Sequence, residues 1–138
     1  MRNKYHMAYL SFMKNIIVCI FCLSTMSCFA QQQIKVEDAG KHVGDMVKIC
    51  TKIYGGKYFE RDSLTLLNAG AAYPDAPLTI VIKAQARKQF NNPEDDLKNA
   101  NVCVTGKIEL YKDKPQIEVT SKDQLVEQLN DHTANEPK

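Results

Sequence analysis

Residues 101–119, NVCVTGKIELYKDKPQIEV, restrict the fold of this chain more than any other stretch. Apolar and polar residues alternate on both sides of the segment KDKP, which is typical of two strands joined by a tight turn. Gly106 lies inside the first strand, where a glycine usually marks a bulge or a bend. The stretch predicts strands at about 101–111 and 116–120, with a structural role for Gly106.

Upstream of this hairpin, the sequence predicts three more strands. Alternation of apolar and polar residues indicates a half-buried strand at 47–54, preceded by a short helical turn at Glu37–Lys41. Residues 55–62, GGKYFERD, have the composition of a polar loop. Strands follow at 63–70 and 78–82, and the two prolines between them indicate a connector rather than a strand.

A short helix is predicted between the third strand and the hairpin, near residues 92–99. Asn92-Pro93 is a typical helix start, with asparagine as the cap and proline at the first helical position. The three acids at 94–96 then lie near the positive end of the helix dipole, which explains them without a catalytic role. Three strands, a helix and two strands favour a closed or nearly closed barrel, with the helix plugging one end.

Residues 1–30 have the layout of a secretory signal peptide. Lys14 precedes an apolar run from Ile16 to Leu23, and Ala30 is the small residue before the predicted cut. The run is shorter than the roughly 20 apolar residues that a membrane span needs. Met13 is a candidate for the true start of translation, because the residues before it are polar and mixed.

Two alternatives to a cleaved, unanchored chain stay open. The apolar run could serve as an uncleaved membrane anchor, and Cys28 could be lipidated. Thr25 and Met26 fit a lipoprotein signal poorly, so we favour a soluble mature chain, periplasmic or secreted, that begins at Gln31.

Export changes the charge argument. Because the segment 1–30 holds three basic residues and no acid, 15 of the 18 basic residues and all 16 acidic residues lie in 31–138. The predicted mature chain has a formal net charge of −1, whereas a nonspecific nucleic-acid binder is expected to carry a basic excess. Its length suits one small domain at 31–122, followed by a polar tail at 123–138.

Several local motifs resemble those of one known fold. They are HVG at 42–44, LNAGAAYP at 67–74, and VCVTGKIELY with KPQI in the hairpin. Together with the element order, they resemble the OB-fold, and more narrowly the small bacterial exported OB domains that occur alone or beside nuclease-like modules. The resemblance implies an all-β, five-stranded Greek-key barrel with one short helix between strands 3 and 4.

The resemblance also implies a pairing for the two cysteines outside the export segment. Alternation turns Cys50 and Cys103 away from the core, and the first and fourth strands of an OB barrel are neighbours. In an exported protein, two cysteines on the same face of adjacent strands indicate a disulfide. Two unpaired thiols are the alternative.

Residue types needed for catalysis or metal binding do not cluster in the sequence. His42 is the one histidine within the predicted fold, and a lone histidine beside a turn is more often a hydrogen-bonded structural residue than a catalyst. No phosphate-binding glycine loop, nucleophile elbow or Cys/His metal spacing is present. We therefore expect no enzyme activity and no cofactor.

A binding surface is the remaining functional feature. In OB barrels the ligand usually crosses the second and third strands, bounded by the loops after the first and fourth. Aromatic and basic residues in those loops suit single-stranded nucleic acid, because rings stack on bases and cations pair with phosphates. Glu60, Asp62 and Asp113 partly neutralise the same loops. The predicted ligand-binding residues are Lys57, Tyr58, Phe59, Arg61, Tyr73, Tyr111, Lys112 and Lys114.

Two functional classes follow. The first is a noncatalytic binding module for single-stranded nucleic acid or a related polyanion. The second is an envelope protein of the same fold that binds a small cationic or sugar ligand, or a protein partner, through the same groove. For the loop aromatics, the alternative to a ligand contact is packing on the barrel rim.

Overall fold

Seven strands and two short α-helices make up residues 31–128, which are the part of the chain that the computed structural model describes. Three 3-10 turns lie among them, at Val36–Lys41, Glu60–Asp62 and Lys122–Gln124. The strands are β1 Gln32–Ile34, β2 Met46–Phe59, β3 Leu64–Ala69, β4 Leu78–Lys83, β5 Asn101–Tyr111, β6 Lys114–Val119 and β7 Leu125–Glu127, and the helices are α1 Ala84–Arg87 and α2 Pro93–Asp96.

Five of the strands close into a barrel. Strand β2 pairs antiparallel with β3, and β3 pairs antiparallel with β4. Strand β4 runs parallel to β6, β6 pairs antiparallel with β5, and β5 returns to β2. This connectivity is the five-stranded Greek-key barrel of the OB-fold, so the predicted fold class is confirmed.

Strand β2 is longer than the sequence predicts, because residues 55–59 belong to it rather than to a loop. Its first half pairs with β5 and its second half with β3, with a register irregularity between Ile53 and Gly55. Gly55 has a φ of 150°. A Cβ at Gly56 would lie 2.7 Å from Leu67 Cδ2. The two glycines thus permit the bend and the close packing that carry one strand across two halves of the barrel.

The β5–β6 hairpin is confirmed, with a turn of two residues. Lys112 and Asp113 both have positive φ, 49° and 62°, as a type I′ hairpin turn requires. Gly106 has a structural role, but the register of β5 against β2 runs through it without a bulge. A Cβ there would lie 2.5 Å from Ile117 Cγ2, so the glycine permits close packing inside the barrel.

The barrel interior is filled by aliphatic side chains, and each end is covered by a short element. Val36 and Ala39 of the first 3-10 turn are buried at one end, where Val36 lies close to Gly70. At the other end, α1 and α2 follow the last residue of β4, and Ala86 and Pro93 are buried. The largest buried side chains are Ile49, Ile53, Leu67, Leu78, Ile80, Ile82, Ile108 and Ile117.

The predicted helix near 92–99 is present but shorter. Helix α2 begins at Pro93, as expected, and ends at Asp96. The side chain of Asn92 makes no capping hydrogen bond; instead, its backbone N–H donates to Asp96 Oδ2 at 3.1 Å. Asn92 thus occupies the predicted N-cap position, and its carbonyl accepts from the Asp96 N–H at 2.8 Å, but its side chain does not cap the helix.

Two strands that the sequence analysis did not identify flank the β2–β5 pair. Strand β1 runs parallel to β2, and β7 pairs antiparallel with β5. The ordered fold therefore continues past the predicted boundary at 122, because Leu125 is buried beside the core. The predicted signal peptide with Met13 and Cys28, and residues 129–138 of the predicted tail, lie outside the described residues.

The predicted disulfide joins Cys50 to Cys103. The two residues are direct partners in the β2–β5 register; Cys103 is buried, but neither side chain belongs to the cluster that fills the barrel. With a sequence separation of 53, the chain-entropy model gives a stabilisation of about 4 kcal/mol. No helix within residues 31–128 is long and apolar enough to cross a membrane.

Candidate functional site

The eight predicted ligand-binding residues form two groups at opposite ends of the β3–β4 pair. The first group lies where Leu64 pairs with Lys83, and the second where Ala69 pairs with Leu78. Five residue steps of a strand separate the two ends by roughly 15 Å. The first group comprises Lys57, Tyr58, Phe59 and Arg61, and the second comprises Tyr73, Tyr111, Lys112 and Lys114.

The second group is brought together by the hairpin and the β3–β4 connector. The turn Val36–Lys41 covers the barrel interior at this end, and we name it the open end because its aromatic rings are exposed. Tyr73 is 78% exposed and Tyr111 is 59% exposed. The Lys114 ammonium lies 5.9 Å from the centre of the Tyr73 ring and donates to the Pro74 carbonyl at 3.2 Å. Lys112 Nζ lies 5.4 Å from the Tyr111 ring centre. Both rings therefore present free surface beside a cation.

The first group is divided between two faces of β2. Phe59 is half-buried, with Lys57 Nζ 5.1 Å from its ring centre. Arg61 is exposed in the turn that follows. Tyr58 pairs with the fully buried Thr65, and the Arg87 guanidinium covers its ring at 3.8 Å. Because Arg87 covers this face of the Tyr58 ring, a base cannot stack there, in contrast to the ligand contact predicted for Tyr58.

Tyr58 belongs to a polar cluster at the end of the barrel where α1 and α2 lie, and we name this the closed end. The cluster comprises Tyr58, Thr65, Arg87 and Glu94. Arg87 donates two hydrogen bonds to the Glu94 carboxylate, at 2.6 and 2.9 Å, and a third to the Thr65 hydroxyl. The hydrogen bond from Arg87 lowers the pKa of Glu94 below its ordinary value of 4.5. Hydrogen bonding to Glu94 raises the pKa of Arg87.

Between the two ends lies the side of β3, β4 and β6 that is turned away from the core, which we name the outer face. Asn68, Thr79 and Gln116 are register partners across the three strands. These positions alternate with the buried Leu67, Ile80 and Ile117, so they point outward. The outer face comprises Lys57, Phe59, Leu66, Asn68, Thr79, Val81, Lys83, Gln116 and Glu118.

Most outer-face residues were not among the predicted site residues. Thr79 is the one polar residue of the predicted strand 78–82, and Asn68 lies in the predicted strand 63–70; these two polar positions were the signal in the sequence. Lys83 and Glu118 form an ion pair of 2.5 Å across β4 and β6. This ion pair adds no net charge to the outer face. The positive charge near the face therefore comes from lysines at its two ends, namely Lys57 at one end and Lys112 and Lys114 at the other.

Residues with catalytic or metal-binding chemistry are dispersed. His42, predicted to be a hydrogen-bonded structural residue, lies with Nδ1 3.1 Å from Asp45 Oδ2. Within residues 31–128, no group of three or more His, Cys, Asp or Glu side chains could hold a metal ion. The outer face carries polar and charged side chains together with the half-buried ring of Phe59.

Comparison with known proteins shows likeness of fold. No protein-family model and no curated protein matches the chain. An aspartyl-tRNA synthetase from Entamoeba histolytica matches 71% of this chain with a TM-score of 0.50 and 11% sequence identity, over 22% of its own length. A protein named as an aspartyl-tRNA synthetase from Leishmania major Friedlin matches 75% of this chain with a TM-score of 0.50 and 8% identity, again over 22% of its length. The similarity concerns about a fifth of each synthetase, and at this identity it shows a shared fold alone.

Proposed function

We propose that this chain is a noncatalytic module that binds single-stranded nucleic acid across the outer face. The observation that carries the proposal is the pair of aromatic–lysine contacts at opposite ends of the outer face. Phe59 with Lys57 lies beside one end of the β3–β4 pair and Tyr111 with Lys112 beside the other, and these ends are roughly 15 Å apart along the strands. Rings of this kind stack on bases and the lysines pair with phosphates, largely independent of sequence.

The proposed contacts differ in role. Phe59, Tyr73 and Tyr111 are the stacking residues. The phosphate contacts are Lys57, Arg61, Lys112 and Lys114. A face of this length accommodates a short segment of strand, within the ~4–16 nucleotides that single OB domains cover. The two solved proteins of similar fold are named for transfer RNA, a nucleic acid, which agrees with this assignment.

We also propose that the domain works outside the reducing cytosol, as the predicted export signal implies. The disulfide between Cys50 and Cys103 supports this, because structural disulfides persist mainly in oxidising compartments. Protein recovered from its native compartment and alkylated before reduction should carry no label on either cysteine. Labelling of both would contradict the proposal.

The binding proposal is tested with a fluorescent single-stranded oligonucleotide of about 12 nucleotides, within the range of OB site sizes. Phe59→Ala should weaken binding by about fivefold to a hundredfold, which corresponds to ~1–3 kcal/mol for one stacked base. Lys114→Ala should instead reduce the slope of log affinity against log salt by about one unit. Fluorescence anisotropy at several salt concentrations measures both.

Tyr54 supplies a matched control. It is 43% exposed and has Lys52 Nζ 5.4 Å from its ring centre, but Lys52 belongs to the half of β2 that pairs with β5. Tyr54→Ala should bind as the wild type does. Equal losses in Tyr54→Ala and Phe59→Ala would contradict the assigned face. Absence of wild-type binding at low salt would overturn the function and favour a sugar or protein ligand.

A further inference from the structure

A concavity of about 370 Å³ adjoins the outer face where β5 changes partners. On one edge, β5 pairs with β7 up to Val104 and with β6 from Ile108. The intervening edge is covered by the 3-10 turn Lys122–Gln124 instead of a strand. The Gln124 amide donates to the Thr105 carbonyl at 3.1 Å and accepts from the Thr120 and Ser121 backbone at 2.8 and 3.0 Å. The gap between β7 and β6 along this edge of β5 is therefore held in a defined shape by the hydrogen bonds of Gln124.

The walls of this concavity combine an apolar surface with hydrogen-bond acceptors. Met46 is 56% exposed and forms one wall, and Glu109 and Glu118 lie on the side of β5 and β6. Glu118 is held by Lys83 at 2.5 Å. Within residues 31–128, the four ion pairs do not involve Glu109. A thioether beside carboxylate acceptors suits a flat, partly aromatic group that donates hydrogen bonds.

The concavity is continuous with the proposed binding face. Gln116 pairs with Thr79 on one side and with Glu109 on the other, so the row of outer-face polar residues leads directly to Glu109. A carboxylate repels phosphate, and a strand that crosses this row must therefore turn a base rather than its backbone toward Glu109. Lys107, on the rim of the same concavity, is available for the phosphate that follows.

We propose that the concavity receives one base of the bound strand and selects bases that carry an exocyclic amino group. Glu109 accepts a hydrogen bond from that amino group, as carboxylates do from cytosine N4, and Met46 packs on the ring. Cytosine is favoured over thymine, which presents a carbonyl oxygen at the same position. This inference rests on the proposed function and adds a preference among bases to it.

The test compares two pyrimidine strands of equal length, oligo-dC and oligo-dT, with the full domain at neutral pH and fixed salt. The wild type should bind oligo-dC about three- to tenfold more tightly, the range expected of one net hydrogen bond. In Glu109→Gln the preference should fall below about twofold, since an amide also donates and can satisfy the thymine oxygen. Met46→Ala, at an exposed position, should reduce the preference as well.

Glu127→Gln is the matched control, because it removes the same charge from an exposed position on β7. It should raise affinity for both strands slightly and leave their ratio unchanged. Equal wild-type affinity for the two strands, or a ratio unaltered in both Glu109→Gln and Met46→Ala, would overturn the inference while leaving nucleic-acid binding intact. Failure of both strands to bind at low salt would overturn the proposed function and this inference with it.

Discussion

Tyrosine rings contact basic side chains at both ends of the barrel, but the surroundings of the two contacts differ. At the closed end, Arg87 lies 3.8 Å from the centre of the Tyr58 ring and is tied to Glu94 by two hydrogen bonds. At the open end, Lys114 lies 5.9 Å from the ring of Tyr73, which is 78% exposed. The closed-end cation has a carboxylate partner and fixes a helix to the barrel. The open-end cation and ring can meet an external ligand.

The difference shows what separates a structural aromatic–cation pair from a candidate ligand contact. The Arg87 and Glu94 side chains are only 15% and 16% exposed, so each charge depends on the other. An exposed pair contributes little to stability, because water solvates both partners. A tyrosine beside a basic side chain therefore stabilises the fold at the closed end, whereas at the open end such a pair is left exposed for the ligand contact that we propose.

The largest expected effect is on stability at the closed end. Arg87→Ala leaves the Glu94 carboxylate without its partner, and we expect the free energy of unfolding to fall by about 3 kcal/mol. Lys114→Ala, at the open end, should change it by less than ~0.5 kcal/mol. Urea denaturation at neutral pH measures both. Similar values for the two variants would remove the distinction between the ends.

The neighbours Tyr58 and Phe59 show why the sequence could not assign these roles. Counting alternate residues from the buried Ile53 turns Phe59 inward and Tyr58 outward. The register irregularity between Ile53 and Gly55 reverses this parity, so that Tyr58 faces the buried Thr65. A bulge within a strand leaves no clear mark in the sequence, and the glycines that permit it also predict a loop.

Features that depend on local patterns were predicted more successfully. The β5–β6 hairpin follows from alternation around two turn residues, and the Cys50–Cys103 partnership follows once β2 and β5 are recognised as neighbours. Strand β7 was missed because its three residues are too few to show a period. The Arg87–Glu94 pair was missed because its partners meet only when α1 and α2 fold back beneath β3.

A second comparison concerns two tyrosines: replacing Tyr58 should lower stability, whereas replacing Tyr73 should weaken binding. Tyr58→Ala removes a half-buried ring that packs on Arg87, and we expect a loss of about 2 kcal/mol in the free energy of unfolding. Tyr73→Ala should alter stability by less than ~0.5 kcal/mol but weaken oligonucleotide binding by at least about fivefold, the lower range for one stacked base.

The binding measurement must be made on folded protein for both tyrosine variants, and circular dichroism provides that check. Tyr58→Ala, once shown to be folded, should bind with wild-type affinity. A folded Tyr58→Ala variant that loses binding would return Tyr58 to the ligand site, as the sequence first suggested. A Tyr73→Ala variant that loses stability instead would assign the open end a structural role.

The smallest expected effect is the dependence of closed-end stability on acid. Because hydrogen bonding to Arg87 lowers the pKa of Glu94 below 4.5 in the folded protein, its ionised form stabilises the fold. This contribution is fully present above the unfolded-state pKa and is lost as the pH falls through the lower, folded-state pKa. Glu94→Gln cannot titrate and lacks the contribution at every pH. The stability gap between wild type and Glu94→Gln should therefore be constant near neutral pH and should narrow below about pH 4.5, where the unfolded carboxyl begins to take up a proton.

Urea denaturation at a series of pH values measures the gap, with Glu60→Gln as a control at the exposed turn after β2. A gap that stays constant into acid would show that Glu94 stabilises the closed end by packing alone, and that its charge does not distinguish the two ends.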